Sequence, residues 1–445
     1  MAAGLQGVQQ RAEHAQRIAV IGAGWAGLAA AVEACRRGHQ VTLYEMAPQP
    51  GGRARSLPPE PGGWPLDNGQ HILIGAYHAT LGLMQQVGVA PAAALLRLPL
   101  ALVDPAGRGL RMPPGAPVPG FVRAVLGLQT WPLADRLAML ASAGRWALQR
   151  FRCPPELSVA ELTHRLSPRV RHDLIEPLCV AALNTPAQDA SAAVFLRVLR
   201  DALFSGPGSC DLLLPRQPLA ALLPEPACQW LQTQGATLHF GQRVDSLQRL
   251  AKGWEVAGDW YDSVVLASSA AEAARLATPH APGWAESAAG FAYEPIVTVY
   301  LRCPGARLQA PMTMLAVDAP QREPAQFAFD LGQISQEPAR AGHFAFVVSG
   351  AAPWVARGLP VTQAAVLAQA RSALHLPDAV APSALTVLRS LAEKRATFRC
   401  TPGLPRPGAA IASGLMAAGD YVEGPYPATL EGAVRSGLAA AAALL

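Results

Sequence analysis

Residues 17–22, RIAVIG, form an apolar, β-branched run that ends on a glycine, the pattern of a strand buried on both faces. The pattern then changes: LAAAVEACRRG, at 28–38, consists of helix formers and closes on Gly38. HQVTLYE, at 39–45, returns to strand-forming residues and ends in Glu45. Strand, glycine turn, helix and strand in this order predict a βαβ unit with a parallel pair. Residues 212–270 predict a helix, a strand at ATLHF, a short strand at Val244, a hairpin and a buried strand at SVVLAS. Residues 121–152 predict amphipathic helices carrying arginine and tryptophan, and the chain closes on a helix beginning near Pro427.

The turn of the first unit carries its chemistry. Gly22-Ala23-Gly24-Trp25-Ala26-Gly27 completes GxGxxG between strand and helix. Gly22 permits the tight turn, Gly24 lets backbone approach a pyrophosphate, and Gly27 lets helix and strand pack closely. Past it, at Trp25 and Ala26, the helix start offers unpaired N–H groups to phosphate. Glu45, twenty-three residues after Gly22, is placed to accept hydrogen bonds from an adenosine ribose. A bare glycine turn has no need of that acid, so the whole unit predicts a bound dinucleotide.

Composition narrows the class. The chain has 445 residues, enough for two domains, and 51% are hydrophobic against 15% charged, which excludes a disordered chain. Lys252 and Lys394 are its only lysines, and no aromatic-basic interleaving suggests nucleic acid. Seven scattered cysteines, never spaced CxxC, predict free thiols in a reducing compartment and no metal site. The N-terminus lacks the apolar core of a signal peptide, and no charge-free apolar run reaches the length of a membrane span. A cytoplasmic protein is expected, with peripheral contact to the inner face of the membrane left open.

MAPQPGGRARS, directly after Glu45, resembles the Gly-Gly-Arg turn of the flavin amine oxidase and carotenoid desaturase superfamily. That resemblance implies FAD, with Gly51, Gly52 and Arg53 along its pyrophosphate. AAGDYVEGPYPATLEGAVRSGLAAAAALL resembles the closing motif and final helix of the same superfamily. It implies Gly419 and Asp420 beside the ribityl chain, and the helix start at Pro427 and Ala428 aimed at the flavin pyrimidine. The backbone at Val244 is implied to meet the adenine. The implied fold class is α/β: a discontinuous Rossmann-like FAD-binding domain at 15–75, 210–275 and 395–445, with an α+β substrate domain at 76–209 and 276–394.

PLDNGQHILIGAYHATLGLMQQVGV, EPLCVAALNTPAQDASAAVFLRVLRDALF and LAEKRATFRCTPG narrow the resemblance to the hydroxysqualene dehydroxylases of bacterial hopanoid synthesis. They imply reductive removal of an allylic hydroxyl from a C30 isoprenoid, a long apolar slot, an acid near the hydroxyl and an external electron donor for FAD. Candidates for the acid are Asp67, His71, Lys394 and Tyr426, and Gly69 allows close approach to the flavin. Three of them have a structural alternative: Asp67 as a turn former, His71 as a satisfied buried histidine, Lys394 as a partner of Glu393. Three other readings stay open, namely a desaturase of the phytoene type, an oxidase of small amines, and a flavin-binding partner protein without a substrate. Residues 121–152 hold five arginines against one acid, with Trp131, Trp146, Phe121 and Phe151 among leucines. Docking on an anionic membrane through these tryptophans is one expectation, and a helical pair packed inside the substrate domain is the other.

Overall fold

The computed structural model describes residues 15–59, 63–315, 321–374 and 384–444; most of the N-terminal segment read above lies outside them. β1 (Arg17–Ile21) leads through the glycine turn into α1 (Trp25–Arg36) and β2 (Gln40–Glu45). β1 and β2 pair in parallel, with Arg17 opposite Gln40, as the alternating elements predict. β3 (Thr237–Phe240) extends the sheet beyond β2, and β4 (Ser263–Leu266) flanks β1 on the other side.

The remaining elements fall into two groups. Leading up to the second sheet are α2 (His78–Gln86), α3 (Pro117–Leu126), α4 (Leu133–Leu148) and α5 (Ala192–Phe204). That sheet is antiparallel and contains β5 (Tyr293–Arg302), β6 (Met312–Met314), β7 (Phe327–Asp330), β8 (His343–Val348) and β9 (Thr386–Phe398). Its order is β6-β7-β8-β5-β9. The chain then returns to the first sheet through β10 (Ala410–Ala412) and β11 (Leu415–Ala417), giving the order β10-β11-β4-β1-β2-β3, and ends in α6 (Leu430–Ala442). One sheet is thus assembled from three distant stretches of sequence.

Three sequence expectations are corrected. Val244 is buried but belongs to no strand; the strand that follows is Leu247–Arg249, the first of three that form a small antiparallel sheet. The last helix begins at Leu430, because Ala428 adopts a left-handed conformation (φ 56°) and Thr429 caps the first turn by accepting the Gly432 N–H. Pro427 therefore precedes the helix instead of opening it. The boundary expected at 75 parts Leu95–Leu98 from Leu73–Ile74 and Leu212–Pro215, with which it forms one small sheet, and the one at 395 falls inside β9, which runs on to Phe398.

Small residues let the two cofactor-side helices touch. α1 is buried along almost its whole length, and α6 lies against it. A Cβ on Gly437 would collide with the Ala26 carbonyl oxygen, and one on Gly27 with the Gly22 carbonyl oxygen. Glu431, in the first turn of α6, is fully buried and accepts the Ala79 and Thr80 N–H groups and the Thr80 hydroxyl at 2.8–3.0 Å. It supplies acceptors to the start of α2, which has no side-chain cap of its own. Gly437→Val, by forcing α1 and α6 apart, is expected to cost about 3 kcal/mol, the upper range for overpacking. A urea midpoint unchanged from the parent would contradict this packing.

Candidate active site

The glycine turn and the Gly51-Gly52 turn lie side by side. Gly51 N–H donates to the Ala23 carbonyl at 2.8 Å, and a Cβ on Gly52 would come within 3.2 Å of the Gly24 Cα. Both Gly51 (φ 111°) and Gly52 (φ 61°) occupy the left-handed region, where glycine is favoured. α1 starts at Gly24 without a side-chain cap, so its first amides are free to meet an anion. The Trp25 indole N–H is taken by the Ala54 carbonyl at 3.0 Å, and Ala26 is packed under α6. Trp25 therefore pins the second turn against the helix. The Glu45 carboxylate accepts the Ala23 and Ala47 N–H groups at 2.7 and 2.8 Å, and retains lone pairs for further donors. Val244 lies just beyond, its carbonyl accepting from Arg275 after Gln242 N–H bonds the Glu45 carbonyl.

Arg53 and Asp420, expected at different parts of a cofactor, meet each other. The guanidinium reaches the carboxylate at 2.6 Å and also donates to the Ala396 carbonyl at 2.9 Å. Burial pushes the Arg53 guanidinium toward losing its proton, and Asp420 outweighs that effect, leaving it held above its ordinary value. Yet 39% of its side chain stays open. A group so desolvated with so much free surface faces an internal recess. Nearby, the Tyr421 hydroxyl is buried without a partner. So is the Thr298 hydroxyl, 3.6 Å from where a Cβ on Gly69 would stand. A glycine cradle, an uncapped helix start, a carboxylate at the strand end and orphaned hydroxyls fit a long, polar, phosphate-bearing group.

Around the paired strands β5 and β9 the side chains turn apolar. Leu66, Ile72, Met314, Ile296 and Leu391 are half-buried against a core shared by the antiparallel sheet and the helices of residues 117–204. On the paired strands β5 and β9, Ile296 stands opposite Glu393 and Thr298 opposite Leu391, so these four share a face. Glu393 is the carboxylate on that face. Asn68 holds it at 2.9 Å while also donating to the Arg53 carbonyl at 3.0 Å. A cavity of about 600 Å³ runs beside α6, reaches Asp420, and has mixed walls that include Glu33, Arg406 and Arg435 beside Val422, Tyr426 and Leu438.

The chain matches the description "flavin containing amine oxidoreductase" over residues 25–445. The chain belongs to this family. It is an FAD-dependent oxidoreductase. It is 28% identical to a hydroxysqualene dehydroxylase of Sinorhizobium fredii across 96% of this chain and 97% of that one, and 28% identical to one of Rhodopseudomonas palustris across 95% and 96%. Its fold is similar to that of an oxidoreductase from Methanosarcina mazei, with a TM-score of 0.71 at 17% identity, covering 95% of this chain and 99% of that one.

The four acid candidates separate. Asp67 is a structural junction: its carboxylate accepts the Ser56 hydroxyl at 2.6 Å and the Leu219 N–H at 3.0 Å, and its carbonyl accepts the Tyr300 hydroxyl. His71 Nδ1 lies 3.0 Å from the Gly69 carbonyl, which can only accept; the ring proton therefore sits on Nδ1 and leaves Nε2 as an acceptor when neutral. Burial lowers its pKa and favours that neutral form. Lys394 is exposed, on the outer side of β9. Tyr426 is held between the Arg197 and Arg435 guanidinium groups, 5.1 and 4.8 Å from its ring centre. Strand alternation in EKRATF alone does not say which of Glu393 and Lys394 faces inward; the pairing of Glu393 with Ile296 does.

Burial pushes the Asp67 carboxyl up to about 6 from 3.8, so the folded chain binds its proton more tightly than the unfolded chain. Its stabilisation is complete below about pH 4 and is lost as pH rises through about 6, a change of roughly 3 kcal/mol. Asp67→Asn, which keeps the acceptor oxygen, is expected to flatten this part of the stability profile. Denaturant midpoints taken from pH 4 to 7 test it, and an unaltered slope would refute the assignment.

Proposed function

We propose that the chain reductively dehydroxylates a C30 allylic isoprenoid alcohol, converting hydroxysqualene to squalene. The observation that carries this reading is the Ile296–Glu393 face, an aliphatic surface with a single carboxylate anchored by Asn68. The full-length similarity to hydroxysqualene dehydroxylases supports it. An ammonium substrate would call for an aromatic cage, and the half-buried lining residues named above are aliphatic or Met.

In this reading the 22–27 turn and the 51–53 turn hold the cofactor phosphates and Glu45 the ribose. Gly69, Gly419 and the Pro427-Ala428 turn approach the ring end. When bound and reduced, FAD supplies hydride, and an external electron donor restores it. The C–O bond breaks, a C–H bond forms from that hydride, and the hydroxyl leaves as water on taking up a proton drawn from solvent. Glu393 places negative charge beside the allylic cation that C–O cleavage creates, where low polarity strengthens the attraction. His71, through Nε2, accepts the substrate hydroxyl and orients it. The aliphatic wall excludes water that would otherwise trap the cation.

Anaerobic mixing of dithionite-reduced enzyme with hydroxysqualene is expected to yield squalene and reoxidised flavin; unchanged alcohol with flavin still reduced would reject the reading. Glu393→Gln is expected to lower kcat about 100-fold, the usual cost of losing one electrostatic group, while FAD absorbance is retained. Lys394→Ala should leave kcat unchanged.

A further inference from the structure

Twelve large hydrophobic residues are exposed among the described residues, and seven of them lie on α3, on α4 or at the end of α5. On α3, Val118, Val122 and Leu126 follow one another at four-residue spacing, 39–43% exposed. On α4, Leu133, Leu137 and Leu148 are 62%, 53% and 88% exposed, and the exposed residues between them on that stripe are Ala141 and Gly144. This face of α4, open to solvent, therefore carries no polar side chain. Arg136 joins the two helices, donating to the Leu126 and Trp131 carbonyls at 2.9 Å, so the stripes adjoin. Phe204 adds to the same region through its edge contact with Phe151.

The tryptophans expected to anchor the chain are not part of this surface. Trp131 and Trp146 are 3% exposed, and the Trp131 indole donates to Asp173. They belong to the inner face of the pair, packed in the core. The helical segment is thus packed inside on one side, as the second expectation had it, and exposes apolar side chains on the other.

Around the apolar stripe stand Arg123, Arg145, Arg150 and Arg152, all exposed, and Asp135 is the sole acid between residues 117 and 152. A second copy of the chain docking by twofold symmetry would bring this rim against itself, arginine toward arginine. Anionic lipid headgroups complement it instead, while Val and Leu side chains enter the acyl boundary.

We infer that the outer face of α3 and α4 seats the enzyme on an anionic bilayer, while the inner face of the same helices packs into the core that Ile296 and Leu391 border. The purpose of this surface rests on the proposed lipid substrate; the binding itself does not. The full-length FAD-loaded protein is tested by co-sedimentation with phosphatidylcholine vesicles, with and without phosphatidylglycerol. Binding is expected only with phosphatidylglycerol present and should weaken as salt is raised. The combined change Leu133→Ser, Leu137→Ser and Leu148→Ser should reduce it at least about tenfold. Changing the four arginines to Gln should abolish the anionic preference. Retained turnover of detergent-dispersed hydroxysqualene in these variants shows that they fold; failure of the parent to turn it over would count against the proposed reaction, not against the surface. Vesicle binding unaffected by the leucine changes would overturn the inference. So would a dimer in sedimentation equilibrium that those changes dissociate, without vesicle binding by the parent.

Discussion

The ion pair between Arg53 and Asp420 closes the chain upon itself. The two residues come from opposite ends of the sequence, and the same guanidinium also grips the Ala396 carbonyl at the end of the long strand β9. The cradle turn, the closing segment and the sheet bearing the Ile296–Glu393 face are thereby fixed to one point. Such a pair in a partly desolvated setting is more useful as a registry device than as a source of stability, since removing water from both charges offsets much of their attraction. Its loss would leave one charge facing the recess uncompensated.

Around that point two different surfaces meet. Toward the first sheet, glycine backbone and free amides make a polar track. Toward the second, aliphatic side chains make a surface to which water has nothing to bond. Asn68 stands at the junction, linking the Arg53 backbone to the Glu393 carboxylate. One carboxylate in a largely aliphatic setting, held in orientation by an amide, is the arrangement on which the proposed reaction rests.

Much of the cofactor half was legible in the sequence because its requirements are local. GxGxxG, the acid at the end of β2 and the Gly-Gly-Arg turn each answer to backbone geometry within a few residues, and β1, α1, β2, β3 and β4 stand where the pattern placed them. The rest depends on what packs against what. Glu393 and Lys394 differ by one residue and therefore by one face, and only pairing with Ile296 settles which is inward. The tryptophans of 121–152 read as interfacial by type, but the helix pair turned them inward and left leucine outside. Thr429 displaced Pro427 as the helix start because a left-handed residue between them broke the backbone. In each case the deciding partner lies outside the local pattern.

The grip of Glu431 on the start of α2 has a consequence for biosynthesis. A ribosome delivers residues 78–86 early, but the carboxylate that satisfies the Ala79 and Thr80 amides follows 352 and 351 residues later, shortly after the strands β10 and β11. The first sheet must therefore wait, unfinished, for those strands to emerge, while the helices at 117–204 can already collapse upon one another. Contacts that span so much chain form slowly and leave apolar strands uncovered in the interval. Nascent-chain protection, by chaperones or by a nearby membrane, would matter most for this protein in the moments before its final helix is released.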